Sequence, residues 1–134
     1  MFFDLKQMVY AQRTNSKQIL DARSKDSFLG LRAQISSDLH PGHIPASINV
    51  PYAGLTECET QTLLSRTELR KLFEQASVNL SLPIVSTCGT GVSAAVLALA
   101  LYQLGLTEIP MYDGSWAEWG RQVDTPKYTV FVDR

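Results

Sequence analysis

Cysteine is scarce in this chain: Cys58 and Cys88 are its only two, enough for at most one disulfide. A chain of 134 residues can fold on an apolar core alone, and 45% of these residues are hydrophobic, so a disulfide scaffold is excluded. A reducing compartment, the cytoplasm, is the expectation. Long apolar runs are also lacking. No stretch approaches the ~18 residues of a membrane span, and Met1-Phe2-Phe3 gives way at once to Asp4 and Lys6, which leaves no signal-peptide core. Charge of one sign is missing as well: 12 Lys and Arg against 13 Asp and Glu leave a net charge of -1. Duplex nucleic-acid binding needs a concentrated basic surface, so that class is disfavoured, while a local anion site stays open. Repeats, low-complexity tracts and linkers are absent, and the length suits one domain spanning residues 1–134.

What is present is an alternation of short apolar runs with helical patterns, the mark of an α/β fold. Leu5 to Ala11 reads as a leading helix and Gln18 to Ala22 as a first strand that a turn follows. Gly30 to Gly42 is polar and reads as a surface loop of functional length. Ser47 to Val50 is a strand stopped by Pro51, and a second loop carries Cys58. Ser65-Arg66-Thr67-Glu68 is a capping box opening a helix whose Leu69, Leu72, Phe73 and Ala76 share one face, and which ends before Pro83. Pro83 to Thr87 is a strand running directly into Cys88, and Val92 to Leu104 is an apolar helix, buried on most sides, that Gly105 ends. Glu108 to Tyr112 gives another strand, Ser115-Trp116-Ala117-Glu118 a second capping box with a last helix, and Tyr128 to Val132 an edge strand.

Chemistry concentrates at Cys88-Gly89-Thr90-Gly91-Val92-Ser93, set between an apolar strand and a helix. Two glycines let the backbone approach an anion, and the first amides of the helix point inward with the positive end of its dipole. That setting favours the ionised, nucleophilic form of a thiol at its centre. The alternative is a small buried hydrophobe in a tight strand-to-helix turn, which the flanking residues disfavour. A cysteine phosphatase needs an arginine at the sixth position after the nucleophile, where this chain has Ala94. A nucleotide P-loop needs Lys followed by Ser or Thr, and no such pair follows Cys88. Neutral amides alone suit sulfur.

These blocks resemble the rhodanese superfamily of sulfurtransferases, and most of all the C-terminal catalytic domain of mercaptopyruvate sulfurtransferases. The matching segments are Leu20-Asp21-Ala22-Arg23-Ser24, Gly42-His43-Ile44-Pro45-Ala46 with Asn49-Val50-Pro51, Cys88 to Ser93, and Tyr112 to Trp119. The resemblance implies a doubly wound, five-stranded, mainly parallel sheet with helices on both faces. It implies that Cys88 takes a sulfane sulfur as a persulfide and passes it to a thiol such as thioredoxin or a low-molecular thiol, with cyanide as an artificial acceptor and no cofactor or metal. By motif position the amides of Gly89, Gly91, Val92 and Ser93 surround the sulfur, and the Thr90 hydroxyl polarises or protonates the departing group, its alternative being a local turn hydrogen bond. Gly89 and Thr90 are neutral where thiosulfate-preferring relatives carry basic residues, so 3-mercaptopyruvate is the better donor and thiosulfate the other. Two arginines that hold the donor carboxylate in that subfamily are replaced here by Leu29 and Ser36. Arg32, the only arginine in the loop, is the candidate in their place, its alternative being a solvated surface charge. The resemblance leaves two organisations open, a stand-alone sulfurtransferase and a piece of a two-domain protein. It also leaves open a non-catalytic binding or sulfur-carrier module.

Other residues carry weaker signals. His43 in its turn reads as a structural hydrogen-bond partner, Asp21 and Arg23 as a buried polar network, and Trp116 and Trp119 as core. Asp113, Gly114 and Ser115 end a strand on the same sheet edge as Cys88 and are expected to shape one side of the pocket. His40, His43 and Cys58 lack the spacing and fourth donor of a metal set.

Overall fold

A computed structural model of the chain describes residues 1–31, 38–89 and 92–129. Among them, strands β1 (Phe2–Phe3), β2 (Gln18–Asp21), β3 (Ile48–Asn49), β4 (Ile84–Thr87) and β5 (Met111–Tyr112) form one sheet in the order β1-β5-β4-β2-β3. Every pairing is parallel, with Asp21 in register with both Asn49 and Thr87. Helices α1 (Leu5–Thr14), α2 (Lys25–Leu29), α3 (Arg66–Gln75), α4 (Val92–Gln103) and α5 (Ser115–Trp119), with a 3-10 turn at Tyr52–Leu55, make the connections. The fold is α/β, as the alternating pattern indicates.

The pleat divides the core. Successive side chains of a strand point to opposite faces. Leu20 and Ile84 therefore join Leu69, Phe73, Leu97 and Leu101 on the face covered by α3 and α4. Ile19 and Val85 join Met8, Tyr112, Trp116 and Trp119 on the face covered by α1 and α5. Ser86 and Thr87 continue the alternation in polar form: the Ser86 hydroxyl donates to the Ala94 carbonyl of α4, and that of Thr87 donates to the Ser115 hydroxyl on α5.

Helix ends follow local chemistry. The box at Ser65 forms as read, the serine hydroxyl accepting from Glu68 N–H at 3.2 Å and the glutamate accepting from Ser65 N–H at 3.1 Å. A similar exchange between Asp4 and Gln7 starts α1. Two elements go beyond the sequence reading. β1 pairs with β5, and the turn after β2 contains α2, capped by Ser24 and ended by Gly30 at φ +83°.

Three expectations need correction. α4 is not buried on most sides: Ala94, Leu97, Ala100 and Leu101 face the core, but Val92, Leu99 and Tyr102 are 74%, 50% and 58% exposed. An outer-layer helix has one covered face, and apolar composition does not create a second. The box at Ser115 does not form either, because its hydroxyl is drawn to Cys88 while Glu118 accepts from the Tyr112 hydroxyl at 2.7 Å. The strand expected over Glu108 to Tyr112 is confined to Met111–Tyr112. Of the expected edge strand, Tyr128 makes an antiparallel bridge to His43, and residues 130–132 lie outside the described residues.

Candidate active site

The parallel sheet brings the ends of β2, β3, β4 and β5 to one edge, where Asp21, Asn49, Thr87 and Tyr112 close their strands. Cys88 follows β4 there, 1% exposed, while Cys58 lies at the surface of its loop; both are thiols. The backbone of the turn is tied to α5. Trp116 N–H donates to the Cys88 carbonyl at 2.8 Å and Ala117 N–H to the Gly89 carbonyl at 2.9 Å. The first amides of a helix have no intrahelical acceptor, and here the turn supplies one for each of these two.

Ser115 completes this junction. Its hydroxyl accepts from Cys88 N–H at 3.1 Å and from the Thr87 hydroxyl at 3.3 Å, and donates to the Tyr112 carbonyl at 2.8 Å. Cys88 Sγ lies 3.9 Å away, so a turn of the hydroxyl proton would bring it to the sulfur. The residue is fully buried at φ +52°, in the left-handed region that a non-glycine side chain seldom occupies. The strain persists because the hydroxyl is held on three sides.

A buried polar network backs the turn. Arg23, 9% exposed, meets the Asp21 carboxylate at 2.9 Å and donates to the Gly42 carbonyl at 2.7 Å. Asn49 donates to the carbonyls of Asp21 and Arg23, tying β3 to the same edge. Gly42 holds φ +116°, and a Cβ there would fall 2.2 Å from the Tyr128 carbonyl oxygen, so glycine is needed at this turn.

This arrangement has known counterparts. The rhodanese-like domain family matches residues 4–122. The chain belongs to that family. A thiosulfate/3-mercaptopyruvate sulfurtransferase of Arabidopsis thaliana is 47% identical over 81% of this chain and 32% of its own length. The human 3-mercaptopyruvate sulfurtransferase is 38% identical over 87% of this chain and 38% of its own. Among solved structures, SseA from Escherichia coli, described as a 3-mercaptopyruvate sulfotransferase, is 35% identical with a TM-score of 0.73 over 87% of this chain and 42% of its own. This rhodanese-like chain thus spans about a third of the length of these curated relatives.

The rhodanese-like domain places the sequence-predicted residues unevenly. Cys88 and Gly89 stand at the sheet edge, Val92 opens α4 at the surface, and Ser93 is half-buried behind it. Thr90, Gly91 and Arg32 lie outside the described residues, as does Ser36. His43 stacks on Phe28, ring centroids 3.6 Å apart, and donates from Nδ1 to the Phe28 carbonyl at 2.6 Å. Burial lowers its pKa from 6.5, outweighing the Phe28 bond and the nearby Asp21 charge, so the neutral imidazole is favoured. Burial, and then the Glu118 carboxylate, raise the Tyr112 phenol far above its ordinary range. Trp116 and Trp119 are core, as read, and Asp113 is exposed. Among the described residues no cluster of His, Cys, Asp and Glu could hold a metal, and no helix is long and apolar enough to cross a membrane.

The sequence reading placed Ser115 at the sheet edge of Cys88, as one side of the pocket, but missed its direct contact with the cysteine. Its signal was the small polar residue after Asp113-Gly114, which the capping-box pattern absorbed.

Proposed function

We propose that this rhodanese-like domain is a sulfurtransferase that moves a sulfane sulfur from a small donor through a Cys88 persulfide to a thiol. The observation that carries the reading is the position of Cys88: it directly follows the central strand, with its own N–H and carbonyl held by Ser115 and Trp116. With its backbone fixed in this way at the sheet edge, Cys88 is proposed as the nucleophile, with backbone amides after it stabilising the charge that develops during transfer.

With 3-mercaptopyruvate, the Cys88 thiolate attacks the donor sulfur, an S–S bond forms and the carbon–sulfur bond breaks. Its electron pair leaves on carbon as the enolate of pyruvate, which takes up a proton. With thiosulfate, the donor's S–S bond breaks and the pair leaves with sulfite. An acceptor thiolate then attacks the outer persulfide sulfur and Cys88 departs as the thiolate. Thr90 is proposed to polarise or protonate the leaving group, the amides of Gly89, Gly91, Val92 and Ser93 to hold the persulfide, and Arg32 to meet the donor carboxylate. The neutral side chains after Cys88 favour 3-mercaptopyruvate over thiosulfate, the names of the curated relatives include both compounds, and the burial of Cys88 favours a small donor. Residues 1–134 act as one domain in this reading, in a reducing compartment such as the cytoplasm. Thioredoxin or a low-molecular thiol is the acceptor, and neither metal nor organic cofactor takes part.

The test is steady-state transfer from each donor to a thiol, in wild type and Cys88→Ser. Transfer should fall to background in the variant while its circular dichroism is unchanged. Retained transfer in Cys88→Ser would reject the role of the thiol, and no wild-type turnover on either donor would favour a binding or sulfur-carrier module.

A further inference from the structure

Beside the turn that carries Cys88, one side chain joins four segments. Arg23 Nε lies 3.2 Å from each Asp21 carboxylate oxygen, and Nη2 donates to Asp21 at 2.9 Å and to the Gly42 carbonyl at 2.7 Å. The guanidinium carbon sits 4.8 Å from the ring centroid of Trp116, and a Cβ on Gly89 would rest 3.8 Å from Arg23 Cδ. Trp116 is held at both ends. Its indole N–H donates to the His40 carbonyl at 2.7 Å, and its backbone N–H to the Cys88 carbonyl at 2.8 Å.

The consequence follows from peptide geometry. In a trans peptide the carbonyl and the next N–H lie on opposite edges of one plane, and none of the described peptides is cis. Fixing the Cys88 carbonyl on Trp116 therefore turns the Gly89 N–H away from α5. We propose that Arg23 is a positioning residue: by clamping Trp116 it sets the orientation of the Cys88–Gly89 peptide, and so the reactivity of the Cys88 sulfur. An ion pair needed only to neutralise buried Asp21 could use lysine. The forked bond to Asp21 and Gly42 together with the flat face on Trp116 is specific to a guanidinium. A buried ion pair is also weak evidence of stabilisation by itself, which leaves positioning as the better account of this one.

The inference rests on the sulfurtransferase reading for its kinetic consequence, and its test has an arm that does not. In a Cys58→Ser background, alkylation by iodoacetamide reports the Cys88 sulfur of the folded protein without any donor. Arg23→Lys should change that rate and lower kcat, each by about 10- to 100-fold. KM for the donor should stay within about twofold, since no substrate contact is removed. Trp116→Phe, which leaves the Asp21–Arg23 pair in place, should act in the same direction, and the double variant should be no worse than the stronger single one. Arg121→Lys, at the exposed pair with Asp38, serves as a control and should change nothing. The proposal is overturned if Arg23→Lys loses thermal stability while alkylation and kcat stay at wild-type values, or if the two effects simply add. Should Arg23→Lys not fold, the Trp116→Phe comparison decides alone: wild-type alkylation in that variant would overturn the proposal. Absence of sulfur transfer in wild type would reject the enzymatic reading and leave the alkylation arm standing.

Discussion

His43 is a chemically capable residue held in a structural role. The sequence reading took it as a hydrogen-bond partner ahead of a proton-transfer group, and it is stacked on Phe28 and committed through Nδ1 to a backbone carbonyl. Burial lowers its folded pKa below the unfolded value of 6.5. Between those two values the unfolded chain binds more protons, so the contribution is complete above the unfolded pKa and declines as pH falls through it toward the folded pKa. His43→Asn should therefore be less stable than wild type at neutral pH. Its thermal midpoint should fall less steeply than that of wild type between about pH 7 and pH 5. Equal slopes in the two proteins would show that another group sets the dependence. Cys88 and Gly89 were legible at this scale because their signal is local, a strand running into a cysteine and two glycines. Ser115 was read as one side of the pocket at the same sheet edge, but its hydrogen bond to Cys88 was not, because the two lie 27 positions apart and only the sheet brings them together.

Helix termini show where local pattern fails. Ser65 and Ser115 both begin an S-x-x-E string, yet only the first is a capping box. α3 starts at the surface, where the serine hydroxyl has no better partner than the helix amides. α5 starts against the end of β4, where the buried Cys88 N–H supplies a donor and Tyr112 draws Glu118 away. The two serines should separate in the laboratory. Ser65→Ala should cost about 1 kcal/mol in denaturant unfolding and leave Cys88 alkylation unchanged. Ser115→Ala should cost about 1–3 kcal/mol, since it removes the hydroxyl that accepts from the buried Cys88 N–H, and should change the alkylation rate as well. Equal alkylation in both variants would remove Ser115 from the site. α4 adds a related lesson: a run free of charged residues suggested burial on most sides, but a helix in the outer layer of a sheet still turns Leu99 and Tyr102 to solvent.

For the molecule as a whole, parallel β-α alternation was readable because each unit is contiguous in sequence, and it places Cys88 at the sheet edge where loops gather. What escaped were features joining distant parts of the chain: β1, whose Phe2 pairs with Met111, and the Tyr128 bridge to His43. α2 escaped for another reason, since five residues are too few for periodicity to declare a helix. The fold delivers a cysteine with its backbone held from both sides, and the central claim is that this cysteine carries sulfur. The most direct test is the intact mass of the protein after brief exposure to 3-mercaptopyruvate, and separately to thiosulfate, before and after a thiol reductant. A gain of about 32 Da, one sulfur atom, that a reductant removes and that Cys88→Ser lacks is the predicted result. No gain from either donor, or the same gain in Cys88→Ser, would contradict it.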